Sequence, residues 1–349
     1  MTRKINYSMI SLLQFLFAVL VIAFHSARIF PSEEWNYIQK NIISRLAVPF
    51  FIIASAFFVR WKTSINKDFE KKYIKKYIKS YLLWSLIYLP YAFMYFRSLG
   101  LPKTYLPVGI FAAIFYIGMC YHLWYLPAFL FGSWLVKQCS KQMQLLSVTL
   151  FAFLLFLIGS IETYAGYLSG TSIADAYDTY AQVLFTTRNG LFYTPIFICI
   201  GYLLYDYRNH RFVTERQGIK LIGSFLILCG EAWFIFKNPG VDKNFLIGLI
   251  PMSFFLFNWS MRTEWFKQKD GRRLKQLSVM YFFIHPAFIE LLLLTPLDEV
   301  LTTYQYAWVS LVIVLLGTHL SAVGLLKIQT KRMFFIEKWQ SIAFQKNRL

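Results

Sequence analysis

The stretch MISLLQFLFAVLVIAFHSARI, residues 9–29, decides the fold. Apart from His25 and Arg28 it carries no ionisable side chain, and it is long enough to cross a bilayer as one helix, for which roughly 20 apolar residues suffice. Arg3 and Lys4 precede it, as in a secretory signal. However, the apolar run is longer than a signal core and no small-residue cleavage site follows, so it reads as a retained membrane helix.

Working outward, runs of the same kind recur along the chain. The candidate spans are residues 8–29, 42–59, 77–96, 121–137, 145–163, 187–206, 218–236, 244–260, 276–296 and 303–325. Residues 106–120 form a further apolar stretch, either spanning or re-entrant. The expected fold is therefore all-α, a polytopic transmembrane bundle of about ten helices. It forms one integral-membrane domain over residues 1–349, with a polar cytoplasmic tail at 327–349. Composition agrees: 57% of residues are hydrophobic and only 15% charged, against about 25% charged in soluble domains. Mean hydropathy is +0.48.

A net charge of +19 in a soluble chain would point to nucleic acid. Its distribution excludes that reading. Twenty-eight of the 36 Lys and Arg fall in alternate segments: the N-terminus, 60–79, 137–144, 206–220, 261–275 and 327–349. Basic residues in short loops mark the cytoplasmic side. The chain reads as a multi-pass protein with both termini cytoplasmic, touching lipid headgroups and no nucleic acid. The opposite loop 164–186 contains Asp175 and Asp178 and no basic residue, so it is a candidate cover for a site on the outer face. Cys120, Cys139, Cys199 and Cys229 lie far apart with no CxxC pair, which indicates neither zinc nor a disulfide framework.

Ionisable groups inside spans are costly and as a rule face a cavity or the bundle interior. They are few here. His25 lies in the outer half of the first span, and Gln14, eleven residues earlier, shares its face after about three turns. Arg45, His122, Glu162 and Arg188 sit at outer helix ends, where snorkelling to the headgroups is the plain alternative. Glu231 and Glu290 lie in outer halves, and His285 is near mid-membrane. His319, alone on an apolar helix, reads as structural. Convergence of His25, Arg45, His122, Arg188 and His285 on one outward cavity would place imidazole beside guanidinium. That pairing suits general-base chemistry with charge stabilisation.

Four stretches resemble membrane-bound acyltransferase family 3, in order and over nearly the whole chain. They are Leu12–Phe15 with Val21–His25, Arg45–Phe51 with Ser55–Phe58, His122–Leu126, and Tyr281–Pro286. Residues Thr186–Phe192 with Gly201 and Tyr202 are similar to the membrane domain of vancomycin-resistance serine racemases, a branch with stand-alone members in Gram-positive bacteria. With the chain ending at Leu349, the racemase domain is expected to be absent. The chain departs from the family pattern at Gln14, where an arginine is usual, and at Ala56, where a glycine is.

The resemblance implies transfer of an acetyl or similar group from acyl-coenzyme A to a hydroxyl or amine of a cell-envelope acceptor such as a glycan, at the cell membrane and without a metal. It implies that His25 is the base and that Arg45 positions the donor or stabilises oxyanion charge. The implied substrate-binding residues are His122, Trp124, Arg188, Asn189, His285, Glu162, Ser55 and Gln14. Arg28, Arg45 or Arg188 would replace the charge absent at Gln14. The second reading is a binding or transport module for a small polar molecule such as an amino acid. There Arg188 would hold a carboxylate, and Asp175 or Glu162 an amine.

Overall fold

A segment inside lipid has no water to satisfy its backbone, so an apolar run there folds as a helix. The computed structural model describes the backbone of residues 5–346 and the side chains of residues 5–329, with no strand among them. Residues 1–4 and most of the expected tail 327–349 lie outside this side-chain description. The principal helices are α1 (Tyr7–His25), α2 (Ala47–Ile65), α3 (Phe69–Ile87), α4 (Leu89–Ser98), α5 (Tyr125–Cys139), α6 (Leu145–Gly159) and α7 (Ile161–Leu168). They continue with α8 (Ser172–Leu184), α9 (Thr194–Asp206), α10 (Gln217–Lys237), α11 (Leu249–Arg262), α12 (Arg272–Leu292) and α13 (Thr303–Lys346).

Each of the ten expected spans holds at least one of these helices or part of one. Four helices are long and apolar enough to cross a membrane by themselves: Tyr7–His25, Glu33–Ile65, Gln217–Lys237 and Thr303–Gln329. A fifth is the pair α6 and α7, bent by 45°, if it counts as one span. Two of the others are shortened by identifiable breaks. The stretch 77–96 divides at Tyr88, where Pro90 opens the next helix. The stretch 187–206 begins as loop and becomes helical only at Thr194. Residues 103–117 form an apolar helical segment too short for a span, which stops at Gly118 with φ +83°.

Packing divides the chain into two units. The smaller contains Tyr7–Asn36 and Phe266–Leu349. In it α12 packs along both α1 and α13.

The larger unit runs from Tyr37 to Trp265 and takes in Asn6. Its central pair is α2 against α9, with α5 and α6 also on α9 and α10 against α11. The α2–α9 approach depends on Gly201: a Cβ there would lie 2.6 Å from Ala56 Cβ and 2.8 Å from the Ile53 carbonyl. The facing helix thus provides the room that a glycine at position 56 would otherwise give. Glu231, on α10, serves as a cap. Its carboxylate accepts the backbone N–H of Ile247 and Gly248 at 2.5 Å each, together with the Tyr164 hydroxyl, just ahead of α11. Bare N–H groups at a helix start favour an anion there.

Candidate functional site

In the larger unit a loop is strapped onto α7. Asn238 Nδ2 donates to the Gly166 carbonyl at 2.8 Å, and the Phe245 N–H donates to Thr163 Oγ1 at 3.0 Å. Gly240 lies against the same turn, where a Cβ would come within 2.4 Å of the Thr163 carbonyl and 2.6 Å of that of Glu162. Only glycine permits that approach. The strap fixes Asp242 and Asn244.

A second loop is tied to the same helix start. Glu162, buried, accepts from the Thr187 N–H at 2.7 Å, Thr187 Oγ1 at 2.5 Å and Thr186 Oγ1 at 2.9 Å. Arg188 follows directly. Asn189, also buried, donates from Nδ2 to the hydroxyls of Tyr116 and Tyr180 at 2.9 and 3.1 Å. Its Oδ1 accepts the N–H groups of Leu191 and Phe192 at 2.9 and 3.2 Å. Glu162 and Asn189 therefore hold the 186–192 turn in shape. Above them, outside the spans, Tyr177 on α8 is buried; burial, reinforced by the negative charges of Glu162 and Asp242, pushes its phenol up.

The two loops bring Arg45, Arg188 and Asp242 together. One carboxylate lies 3.7 Å from the Arg45 guanidinium and 3.8 Å from that of Arg188. Arg45, in the turn before α2, also donates to Asn244 Oδ1. The Arg188 guanidinium stacks over the Trp124 ring, 4.8 Å from its centroid, and Trp124 meets Tyr193 edge-on at 5.6 Å. Three of the expected residues, Arg45, Trp124 and Arg188, thus share one cluster. His122 lies in an aromatic setting, with its buried ring edge-on to Tyr88 at 5.1 Å and Tyr121 at 5.9 Å. Ser55, half-buried on α2, pairs with Tyr73.

The smaller unit holds the histidines. His25, at the end of α1, stacks on His285 of α12, with centroids 5.7 Å apart and planes inclined by 26°. His285 is fully buried, and its Nδ1 lies 2.8 Å from the Tyr281 carbonyl. A carbonyl only accepts, so Nδ1 carries the proton, and the bond fixes the orientation of the ring. Gln14 is half-buried on α1, about three turns before His25. Arg28 is exposed and donates to the carbonyls of Phe30 and Pro31 at 3.3 and 2.7 Å, so its guanidinium is engaged with its own loop. His319 pairs through Nδ1 with the Tyr281 hydroxyl at 2.7 Å.

A family model described as an acyltransferase domain, Acyl_transf_3, matches residues 8–327. The chain belongs to acyltransferase family 3. It is 30% identical over 290 residues to an amino-acid racemase of Enterococcus faecalis, an alignment covering 80% of this chain and 39% of that one. It is likewise 30% identical over 278 residues to a serine/alanine racemase of Enterococcus gallinarum, covering 77% and 39%. The chain thus spans about two-fifths of the length of these curated relatives. No solved structure matches it. The likeness to racemases agrees with the branch to which residues 186–192 pointed, and an all-helical member of acyltransferase family 3 is a membrane protein.

Within this family member, Asp242 and Asn244 are the residues that sequence reasoning missed. A signal for Asp242 was present. Arg45 and Arg188 are expected at helix ends on one side, and between Lys237 and Lys243 the short loop expected on that same side offers one carboxylate, Asp242, beside a Pro239–Gly240 turn.

Proposed function

We propose that the chain is a multi-pass acyltransferase of the cell membrane, with both termini cytoplasmic. It moves a short acyl group such as acetyl from acyl-coenzyme A to a hydroxyl or amine of a cell-envelope acceptor such as a glycan. Family membership supports the reaction class, and the stacked His25–His285 pair is the observation that carries the mechanism.

In this reading His25 is the general base. It takes the proton of the acceptor hydroxyl as that oxygen attacks the thioester carbonyl; the carbon–sulfur bond then breaks, and the proton goes to the departing thiolate. His285, pinned by its carbonyl bond, presents a fixed ring face that orients His25. Gln14 hydrogen-bonds but carries no charge, so the second catalytic residue is assigned to Arg45.

The test uses membranes from cells expressing the chain, given acetyl-labelled acetyl-coenzyme A. Label should pass into the envelope fraction, and His25→Ala should abolish that passage. Equal labelling with the variant would overturn the assignment of the base. The relatives' names, amino-acid racemase and serine/alanine racemase, support amino-acid binding or transport as the second reading. Amino-acid uptake without consumption of acetyl-coenzyme A would decide for it.

A further inference from the structure

Arg188 is underused. Among the described residues its guanidinium makes no hydrogen bond: it stacks on Trp124 and faces Asp242 at 3.8 Å, beyond hydrogen-bonding distance, and its Nε is buried without an acceptor. Beside it, Asn244 is 3% exposed; its Oδ1 accepts from Arg45, while its Nδ2 finds no acceptor among the described residues. Two guanidiniums thus share one loosely held carboxylate. The oxygens of Glu162, a second carboxylate near Asp242, are engaged by the threonine donors. Buried donors left without acceptors cost free energy that an anion placed among them would recover. The side chains of Arg188 and Arg45 are 30% and 13% exposed, so a small group from outside can reach them.

We propose that Arg188, Arg45 and Asn244 form the receptor for a carboxylate group on the substrate, with Trp124 as its wall and Asp242 as the built-in competitor. The planar guanidinium fork matches a carboxylate with two parallel hydrogen bonds. A planar fork stacked on an indole face suits a flat carboxylate better than a tetrahedral phosphate. The receptor makes the same claim whether the carboxylate belongs to an acyl acceptor or to a transported molecule.

Acetate is the probe, with methylammonium and inorganic phosphate as controls. Binding to the purified full-length chain in detergent is read by saturation-transfer NMR with no acyl donor present, so failure of acyl transfer cannot be mistaken for failure of the site. Acetate should bind, methylammonium should not, and phosphate should bind more weakly than acetate. Arg188→Gln should weaken acetate binding by about tenfold or more. Asp242→Asn, which removes the competing charge, should tighten it by about three- to tenfold, a gain that misfolding cannot imitate. Absence of acetate binding, or phosphate binding tighter than acetate, would overturn the receptor. So would acetate binding left unchanged or weakened by Asp242→Asn.

Discussion

His285 is followed at once by Pro286, inside α12. A proline has no N–H to give the carbonyl four residues earlier, and the His285 ring turns back onto this strip of backbone and is held at Tyr281. The bond sets the tautomer, and stacking passes the orientation to His25. His25→Ala should therefore lower acyl transfer by about 10²–10⁴-fold while membrane insertion, checked by fractionation, is unchanged. Gln14→Arg restores the charge usual in the family on the face of α1 that carries His25. Acyl transfer should be retained or raised in that variant; loss of the protein from the membrane would instead favour the transport reading, in which the new charge has no role. His25, Arg45 and His285 were legible because an ionisable group in an apolar run stands out against its cost. Asp242 gave only a weak signal because a carboxylate in a Pro-Gly loop is ordinary. Only the strap onto α7 shows that this one is held between two arginines.

At the scale of elements, apolar runs disclosed every principal helix expected to span, but not where each begins or breaks. The turn at 186–192 lies within an expected span because its apolar neighbours mask it. What makes it loop is the set of threonine donors gathered on Glu162, which no periodicity records. The Glu231 cap was likewise seen only as a charge in an apolar run, since its partners come from the start of the next helix. The α2–α9 pair is more predictable in its response. Gly201→Ala would force a methyl into the space of Ala56 Cβ and the Ile53 carbonyl. Overpacking of this kind costs about 1–3 kcal/mol, so the variant should melt at a lower temperature in detergent than the parent chain. A paired Ala56→Gly should recover part of the loss, because it removes the closest of those contacts.

For the whole molecule, charge distribution is the strongest sequence signal, and what it leads one to expect concerns sides as well as helices. Asp68 and Asp175 are both exposed, on segments assigned to opposite faces. With the four native cysteines replaced, a cysteine at 175 should react with an impermeant maleimide added to intact cells, and one at 68 should not. The reverse pattern would invert the depth of every residue discussed. The smaller unit has a consequence for synthesis. Its α1 leaves the ribosome first, yet its partners α12 and α13 lie at the far end of the chain. Roughly 250 residues separate α1 from α12, which at about 5–20 residues per second is a delay of about 12–50 s. Throughout that interval Phe15 and His25 of α1 lack the Tyr281 and His285 rings that later meet them. The histidine pair is accordingly among the last features to be assembled: a ribosome stalled before α12 leaves His25 in place with no ring to stack on.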